Sequence, residues 1–304
     1  MAEVETLRGQ GHRLKEALGV AGLAKSSYFY CPRPRSPRPL DPRLVEALEA
    51  ISGRELVYGY RKKTQYLRYQ GLRCNPKAVY RHLLALGQLQ PRKRKGLRHQ
   101  GLSFSRPTAS NQRWEADLVE TSCGVDGKGF GIALMDAFDK EVIAGEFSQR
   151  CRAQEVEQVL WDAVCKRFHQ GYVPETLELV LRVDRGGQFI AQRVVSLAKT
   201  MGLKLEVCGL QTPNDKPYIE SFYASYKTEE VYRNWYQTFA EAKAGWKDYL
   251  GWYNAQRLHQ SLGYRTPAQV APRPVQAEPS KFSDYLKTLS SPNPKLSQPY
   301  FSPV

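Results

Sequence analysis

Three strand-like runs follow one another with only short connections between residues 113 and 147. They cover 113–120, 129–137 and 141–147, and turn-forming residues separate them. Connections this short predict an antiparallel meander, because parallel strands need a longer crossover. This meander is the strongest constraint on how the chain folds.

Helices and strands alternate after the meander. A helix is predicted at 152–169, where apolar residues recur at helical spacing. The later elements are predicted to be strand 177–183, helix 188–201, strand 204–208, helix 217–230 and helix 238–254. The order βββαβαβαα predicts an α/β fold with a mixed five-stranded sheet flanked by helices.

The excess positive charge lies in the first third of the chain. Residues 1–110 hold 22 Lys and Arg against 7 Asp and Glu, whereas residues 111–304 hold 23 of each. Such asymmetry is typical of a region that binds nucleic acid. A solvated basic surface or a disordered arm is the alternative interpretation.

The basic third contains a pattern of three helices, predicted at 43–53, 61–70 and 76–87. Asn75 is placed to cap the third helix, and Pro76 suits its first position. Lys77 and Arg81 lie on that helix. A basic last helix fits a helix-turn-helix module that enters the major groove of DNA, although other small three-helix packings have the same pattern.

Basic and proline-rich segments separate the predicted domains. Arg92, Lys93, Arg94 and Lys95 form a dense run that is either a solvated linker or a clamp on DNA phosphates. The predicted division is an N-terminal helix with a basic Pro-rich linker (1–40), a helix-turn-helix domain (41–90), a basic linker (91–111), a core domain that contains the predicted sheet (112–270) and a Pro-rich tail (271–304).

Composition excludes several classes of protein. No apolar run is long enough to span a membrane, and the acidic N-terminus lacks the apolar segment of a secretion signal. The six cysteines are far apart and form no Cys-x-x-Cys pair, which argues against structural zinc and a disulfide framework. We therefore expect a protein of the reducing cytoplasm.

Three carboxylates are the candidate catalytic residues. Asp117 lies within a strand, where an uncompensated charge is costly. Asp184 ends a strand and precedes two glycines, and Glu220 follows it after 35 intervening residues, near the start of a helix. Acids so placed can converge on two divalent metal ions, which prefer oxygen ligands and can activate a water or sugar hydroxyl against a phosphodiester.

Other acids compete for these roles. Asp136 and Asp139 flank a predicted hairpin turn, and Asp126 lies in the turn before the second strand. Asp215 is the main rival of Glu220, although its position at a helix entry favours an N-cap.

Several segments match the motifs of one known family. They are Trp114-x-x-Asp117, Val183-Asp184-Arg185-Gly186-Gly187-Gln188-Phe189, Thr212-Pro213-Asn214-Asp215-Lys216-Pro217-Tyr218-Ile219-Glu220-Ser221-Phe222, Tyr253-Asn254-x-x-Arg257-x-His259-x-Ser261-Leu262, Tyr58-Gly59-Tyr60-Arg61 and Asn75-Pro76-x-x-Val79-Tyr80-Arg81. They resemble the OrfB-type transposases of bacterial insertion sequences, relatives of retroviral integrases with an RNase H-like core. The resemblance spans roughly residues 26–270.

The resemblance implies that Asp117, Asp184 and Glu220 are catalytic and hold two Mg²⁺ or Mn²⁺ ions. It implies that Lys227 contacts DNA phosphate, with an ordinary surface lysine as the alternative. Arg257 and His259 either contact DNA or order the last helix against the core, and a structural hydrogen bond is favoured for His259. Lys216 and Arg185 stand where the family usually has asparagine.

The implied function is metal-dependent cleavage at the ends of an insertion sequence, followed by strand transfer. The implied partners are terminal-repeat and target DNA, further copies of the chain and a protein from an upstream reading frame, in the bacterial cytoplasm at the nucleoid. The alternatives are an inactive DNA-binding protein derived from a mobile element and an RNase H-like nuclease acting on hybrids or branched DNA.

Overall fold

A mixed five-stranded sheet is the centre of the computed structural model, which describes residues 1–31, 38–90, 106–168, 171–208 and 216–272. The strands are β1 (Arg113–Ser122), β2 (Lys128–Asp136), β3 (Val142–Ser148), β4 (Val180–Val183) and β5 (Lys204–Val207). Their order is β3-β2-β1-β4-β5; β1, β2 and β3 are antiparallel neighbours, and β4 and β5 run parallel to β1. The predicted meander and mixed sheet are confirmed.

Helices precede the sheet and cover both of its faces. In chain order they are α1 (Ala2–Gly9), α2 (Leu14–Val20), α3 (Lys25–Tyr28), α4 (Pro42–Glu49), α5 (Tyr60–Tyr69), α6 (Pro76–Ala85), α7 (Ala153–Arg167), α8 (Gly187–Ile190), α9 (Gln192–Thr200), α10 (Pro217–Tyr226) and α11 (Phe239–Ala255). Among the described residues, none of these helices combines the length and the apolarity that crossing a membrane requires.

The alternation of side chains along β1 divides the core into two layers. Trp114 and Ala116 point into an apolar cluster with residues of α7 and α9. Val119 lies on the opposite face, in a cluster of aromatic residues from α10 and α11. Glu115 and Asp117 share the parity of Val119, so they face α10.

Gly131 on β2 permits the close approach of α11 to the sheet. A Cβ atom there would lie 2.9 to 3.1 Å from three ring atoms of Trp246, whose side chain is buried. We expect Gly131→Ala to lower the free energy of unfolding by about 1–3 kcal/mol, because a buried indole ring has no room to move. Urea denaturation measures the change.

Gly251→Ala is the matched control, because no atom lies within 4 Å of a Cβ at this exposed position of α11. That substitution should raise stability by about 0.5–1 kcal/mol through helix propensity. Equal effects of the two substitutions would contradict this account of the packing.

The first unit, Met1–Pro42, contains three short helices where the sequence analysis expected one. Glycines interrupt the helical path, since Gly11 and Gly22 adopt φ of 90° and 61°. The helices pack around a small apolar cluster of Val4, Ala17 and Leu18.

The second unit begins at Arg43 and contains α4, α5 and α6 together with the sheet. The three predicted basic-region helices are present and share an apolar cluster. The Asn75 side chain caps α6, accepting a hydrogen bond from the Lys77 N–H at 2.8 Å, and Pro76 follows it, as predicted. A 3₁₀ helix, Gly53–Val57, joins α4 to α5.

This 3₁₀ helix ties the helical region to the sheet domain. Arg54 forms ion pairs with Glu230 at 2.6 Å and Asp248 at 2.7 Å. Glu55 accepts a hydrogen bond from the Trp252 indole at 3.1 Å. The predicted helix-turn-helix segment is therefore packed against α11.

Two predicted helices differ in the structure. The predicted helix 188–201 is divided into α8 and α9, because Ala191 adopts an extended ψ of 138°. The predicted helix 217–230 leaves α-helical geometry at Tyr226 and continues as a π-helical turn, Lys227–Val231. This turn directs both Glu229 and Glu230 inward, where they are buried.

Candidate active site

The parallel pairing of β1 with β4 brings Asp117 and Asp184 together. Glu115 on β1 is opposite Arg182 on β4. Asp117 lies two residues after Glu115, and Asp184 lies two residues after Arg182. The register therefore places the two carboxylates side by side at the end of β4. Strand ends of this kind are common positions for ligand sites in sheets with parallel strands.

Lys216 lies between these two carboxylates. Its Nζ is 3.1 Å from Asp117 Oδ1 and 3.8 Å from Asp184 Oδ2. It also donates a hydrogen bond to the Ala116 carbonyl at 3.3 Å. The lysine side chain is 7% exposed, against 19% for Asp117 and 40% for Asp184. One buried positive charge therefore links the two acids.

Burial controls the ionisation of Asp117. Desolvation raises the pKa of this carboxyl above its ordinary value, and the neighbouring Lys216 ammonium opposes that rise. Asp117 Oδ1 also accepts a hydrogen bond from the Leu118 N–H at 2.9 Å, which favours the charged form.

A tight turn orients Asp184. Its Oδ1 accepts a hydrogen bond from the Gly186 N–H at 2.8 Å. A Cβ at Gly186 would approach that same oxygen to 2.8 Å and Gln188 Nε2 to 2.5 Å. A side chain at position 186 would therefore displace the Asp184 carboxylate or the Gln188 amide from its present position.

Helix α10 is fastened to the sheet beside these acids. Glu115 Oε2 accepts hydrogen bonds from the backbone N–H groups of Tyr218 and Ile219, at 3.0 and 2.9 Å, which satisfies the start of the helix. The Tyr223 hydroxyl donates to the Asp117 carbonyl at 2.6 Å and accepts from the Ala133 N–H at 3.1 Å.

These positioning roles of Glu115 and Tyr223 were not predicted from the sequence. Burial raises the pKa of Glu115 to about 7, although the hydrogen bonds from the Ile219 and Tyr218 N–H groups act to lower it. The available signals were spacings: Glu115 precedes Asp117 by two residues on a strand, and Tyr223 follows Glu220 by three on a helix. Neither spacing indicates which residue the Glu115 or Tyr223 side chain contacts.

Glu220 lies in the first turn of α10. Its N–H donates to the Lys216 carbonyl at 3.1 Å, so the two residues are one turn apart, and the glutamate is exposed. In the part of the chain that the structure describes, no three Asp, Glu, His or Cys side chains group closely enough to hold a metal ion. The structure thus joins Asp117 and Asp184 through Lys216, and Glu220 is exposed in the first turn of the helix that follows this lysine.

The donor set at Asp117 and Asp184 is nevertheless suited to a hard cation. Both residues offer carboxylate oxygens, which Mg²⁺ and Mn²⁺ prefer. The Lys216 ammonium, itself a cation, lies between the two carboxylates. The two carboxylates are therefore stabilised by a positive charge placed between them.

The predicted DNA-binding residues differ in exposure. On α6, Lys77 is exposed and Arg81 is half-buried; Lys227 is half-buried at the start of the π-helical turn. Arg92, Lys93, Arg94 and Lys95 lie outside the described residues, as does Asp215.

Arg257 is buried within an ion-paired cluster. Its guanidinium donates to both carboxylate oxygens of Glu229 at 2.7 and 2.8 Å and to the Ser225 hydroxyl at 2.8 Å. The Tyr249 hydroxyl donates to the same glutamate at 2.9 Å. Of the two roles left open for Arg257, these contacts support the ordering of the last helix.

Asn254 in the same C-terminal motif also has a structural contact. Its side-chain amide donates to the Val142 carbonyl at 2.8 Å and accepts from the Val142 N–H at 2.9 Å. This pair attaches α11 to β3, so the motif holds the helix against the edge of the sheet.

His259 packs edge-on against Tyr253 with ring centroids 4.9 Å apart and lies beside Arg257. Burial, with the Arg257, Lys62 and Lys140 charges, lowers its pKa to about 2. Because the folded pKa is depressed, the unfolded chain binds the additional proton below its ordinary pKa near 6.5. Stability is therefore present above that pH and is lost as the pH falls through it.

We expect His259→Gln to weaken the acid dependence of stability. In the wild type this residue contributes a slope of up to about 1.4 kcal/mol per pH unit below pH 6.5. Urea denaturation at pH 7.5 and 5.5 measures the difference, and the exposed His12→Gln serves as control. An unchanged slope in His259→Gln would contradict the assignment.

The competing acids have structural contacts. Asp136 Oδ1 accepts from the backbone N–H groups of Phe138 and Asp139 in the predicted hairpin turn. Asp139 is paired with Arg167 at 3.0 Å. Asp126 accepts from the Phe239 N–H at 2.8 Å, at the start of α11. The interpretation of these acids as turn residues is confirmed.

Two family profiles described as "Integrase core domain" match the chain, one at residues 107–213 and one at residues 201–267. Together they span more than half of the sequence, including all three candidate acids. The matched region agrees with the sheet domain described above.

Curated relatives match over most of the chain. The "Insertion element IS407 uncharacterized 31.7 kDa protein" of Burkholderia multivorans is 27% identical over 260 residues, covering 84% of this chain and 90% of its own. The "Transposase for insertion sequence element IS904" of Lactococcus lactis is 27% identical over 223 residues, covering 69% of this chain and 85% of its own. The chain belongs to the insertion-sequence transposases that carry an integrase core.

One solved structure is similar to part of this chain. The catalytic core domain of BIV integrase covers 59% of this chain and 99% of its own, with 18% identity and a TM-score of 0.37. The family assignment does not depend on this similarity.

Proposed function

We propose that this chain is a DNA transposase that cuts DNA at the ends of its insertion sequence and joins the freed ends to target DNA. The observation that carries the proposal is the pairing of Asp117 and Asp184 around one positive charge, where Asp117 in the middle of β1 lies beside the end of β4. The family membership supports the reaction class.

The integrase core family is metal-dependent. Asp117, Asp184 and Glu220 would hold two Mg²⁺ or Mn²⁺ ions. Bound ions would supply charge stabilisation and activation of the attacking oxygen. Glu115 and Tyr223 would keep α10, and with it Glu220, in register with the sheet.

The proposed reaction has two phosphodiester exchanges. In the first, a water oxygen bonds to phosphorus, loses its proton and displaces the 3′ oxygen of the element end, which leaves as a hydroxyl. In the second, the oxygen of that hydroxyl bonds to a phosphorus of target DNA and loses its proton, and the 3′ oxygen of the target strand leaves and takes up a proton. Neither exchange needs a covalent bond to the protein.

The proposed partners follow from this reaction. Lys77 and Arg81 would contact terminal-repeat DNA together with the basic linker residues Arg92 to Lys95, and Lys227 would contact phosphate near the scissile bond. Two element ends must be held together, so we propose a homo-oligomer, with an upstream-frame protein as a further partner. With DNA as its substrate, the protein would act at the bacterial nucleoid.

The test is cleavage of a duplex that carries the terminal repeats of the element. The account predicts nicks at the repeat boundary that leave 3′ hydroxyls, that require Mg²⁺ and that are absent on a duplex with unrelated ends. Cleavage of hybrids or branched DNA regardless of repeats would favour the RNase H-like nuclease.

A second candidate is an inactive DNA-binding protein. The observation that favours it is Lys216, whose ammonium lies where positive charge is needed between the two acids. Specific binding to the repeats without nicking under any divalent metal would establish this alternative.

A further inference from the structure

Lys216 is held by the fold and is not a loosely placed surface lysine. It is the residue before α10, and the helix start is anchored on β1 by Glu115. Its side chain is 7% exposed, and its ammonium contacts the Ala116 carbonyl as well as Asp117. The fold therefore positions the Lys216 ammonium next to the carboxylates of Asp117 and Asp184.

The ammonium and a divalent ion require the same oxygen atoms. Lysine Nζ is 3.1 Å from Asp117 Oδ1, whereas Mg²⁺ binds oxygen at about 2.1 Å and keeps its own shell of ligands. Two cations sharing one carboxylate oxygen also repel each other. A four-carbon stem with freely rotating bonds allows the ammonium to move while the helix stays in place.

We propose that Lys216 is a built-in competitor for metal, which occupies the cation position of Asp117 and Asp184 in the metal-free protein and moves aside when metal binds. The inference rests on the proposed function, since it takes these acids as metal ligands. Its consequence is that the lysine sets the metal affinity: the ammonium balances one of the two negative charges of the metal-free site, and metal binding requires its displacement.

The first test compares Mn²⁺ affinity in variants of the full chain by titration calorimetry or electron paramagnetic resonance. Lys216→Met keeps the length of the stem and removes the charge, and we expect it to bind Mn²⁺ about tenfold more tightly or better. Lys199→Met, at an exposed position in the last turn of α9, makes the same substitution at a lysine with no ion pair to either acid and should leave the affinity unchanged.

The stability of the metal-free protein gives an independent readout. Without the ammonium, two carboxylates face each other, so metal-free Lys216→Met should melt at a lower temperature than the wild type. Mg²⁺ should then raise its melting temperature by more than it raises that of the wild type. An affinity or a melting shift equal to or smaller than in the wild type would overturn the proposal.

A measurement on the wild type covers the case in which Lys216→Met does not fold. An amine-acylating reagent with mass-spectrometric readout reports the accessibility of each lysine. We expect Lys216 to be labelled faster in the presence of Mn²⁺, while Lys199 is labelled at a constant rate. Equal labelling of Lys216 with and without bound Mn²⁺ would overturn the proposal.

Failure of this inference is distinguishable from failure of the proposed function. If the wild type nicks terminal-repeat DNA but Lys216→Met binds Mn²⁺ no better, only the competitor role of the lysine is rejected. If the wild type does not nick that DNA, the transposase proposal is rejected, and tighter Mn²⁺ binding in Lys216→Met would still support the competition.

Discussion

Asp117→Asn is expected to slow Mg²⁺-dependent cleavage of terminal-repeat DNA by roughly a thousandfold or more. The amide keeps the shape of the side chain and removes the charge that would hold the metal. Asp184→Asn and Glu220→Gln should have effects of similar size, because each removes one proposed ligand. Single-turnover cleavage assays measure the loss.

DNA binding by these variants should stay nearly intact, since the proposed recognition residues lie on α6 and the basic linker. A gel-shift assay with the terminal repeats verifies this. The exposed Glu175→Gln is the charge-matched control and should cleave at the wild-type rate. Retained cleavage in any of the three variants would reject that residue as catalytic.

Arg257→Met is expected to lower the free energy of unfolding by about 3–5 kcal/mol. The substitution leaves the Glu229 carboxylate buried, with Lys62 at 3.8 Å as its remaining ion-pair partner among the described residues. Arg257 also joins the π-helical turn to the chain after α11, so its loss should loosen both. Urea denaturation measures the change.

The double variant Arg257→Met/Glu229→Gln distinguishes a buried ion pair from a general packing effect. Removing both charges leaves no uncompensated ion, so the double variant should lose less stability than the sum of the two single variants. Strict additivity would contradict the ion-pair assignment. If Arg257→Met were as stable as the wild type, the structural role of Arg257 would be rejected, and its other proposed role, contact with DNA, would be tested next.

Local pattern was enough to predict much of the fold. The strands of the meander were predicted to within two residues, since turn-forming residues separate the three strand-like runs and their connections are short. The cap at Asn75 was predictable because its partner is two residues away. The break at Ala191 and the π-helical turn were not, since no glycine or proline marks either place.

The site was predictable in its residue types and not in its contacts. Asp117 and Asp184 were identified from a buried strand position and from the following glycines. The role of Lys216 depends on partners far away in sequence, and those partners are set by the pairing of β1 with β4. In the same way, Arg257 was predicted as a functional residue, but its burial against Glu229 depends on how α11 packs.

The central claim is that Asp117 and Asp184 hold a divalent metal. Anomalous scattering from crystals grown with Mn²⁺ tests it most directly. The account predicts a peak bonded to carboxylate oxygens of both residues at about 2.1 Å, with the Lys216 ammonium displaced. Crystals that take up Mn²⁺ only elsewhere, with Lys216 still between the two acids, would contradict it.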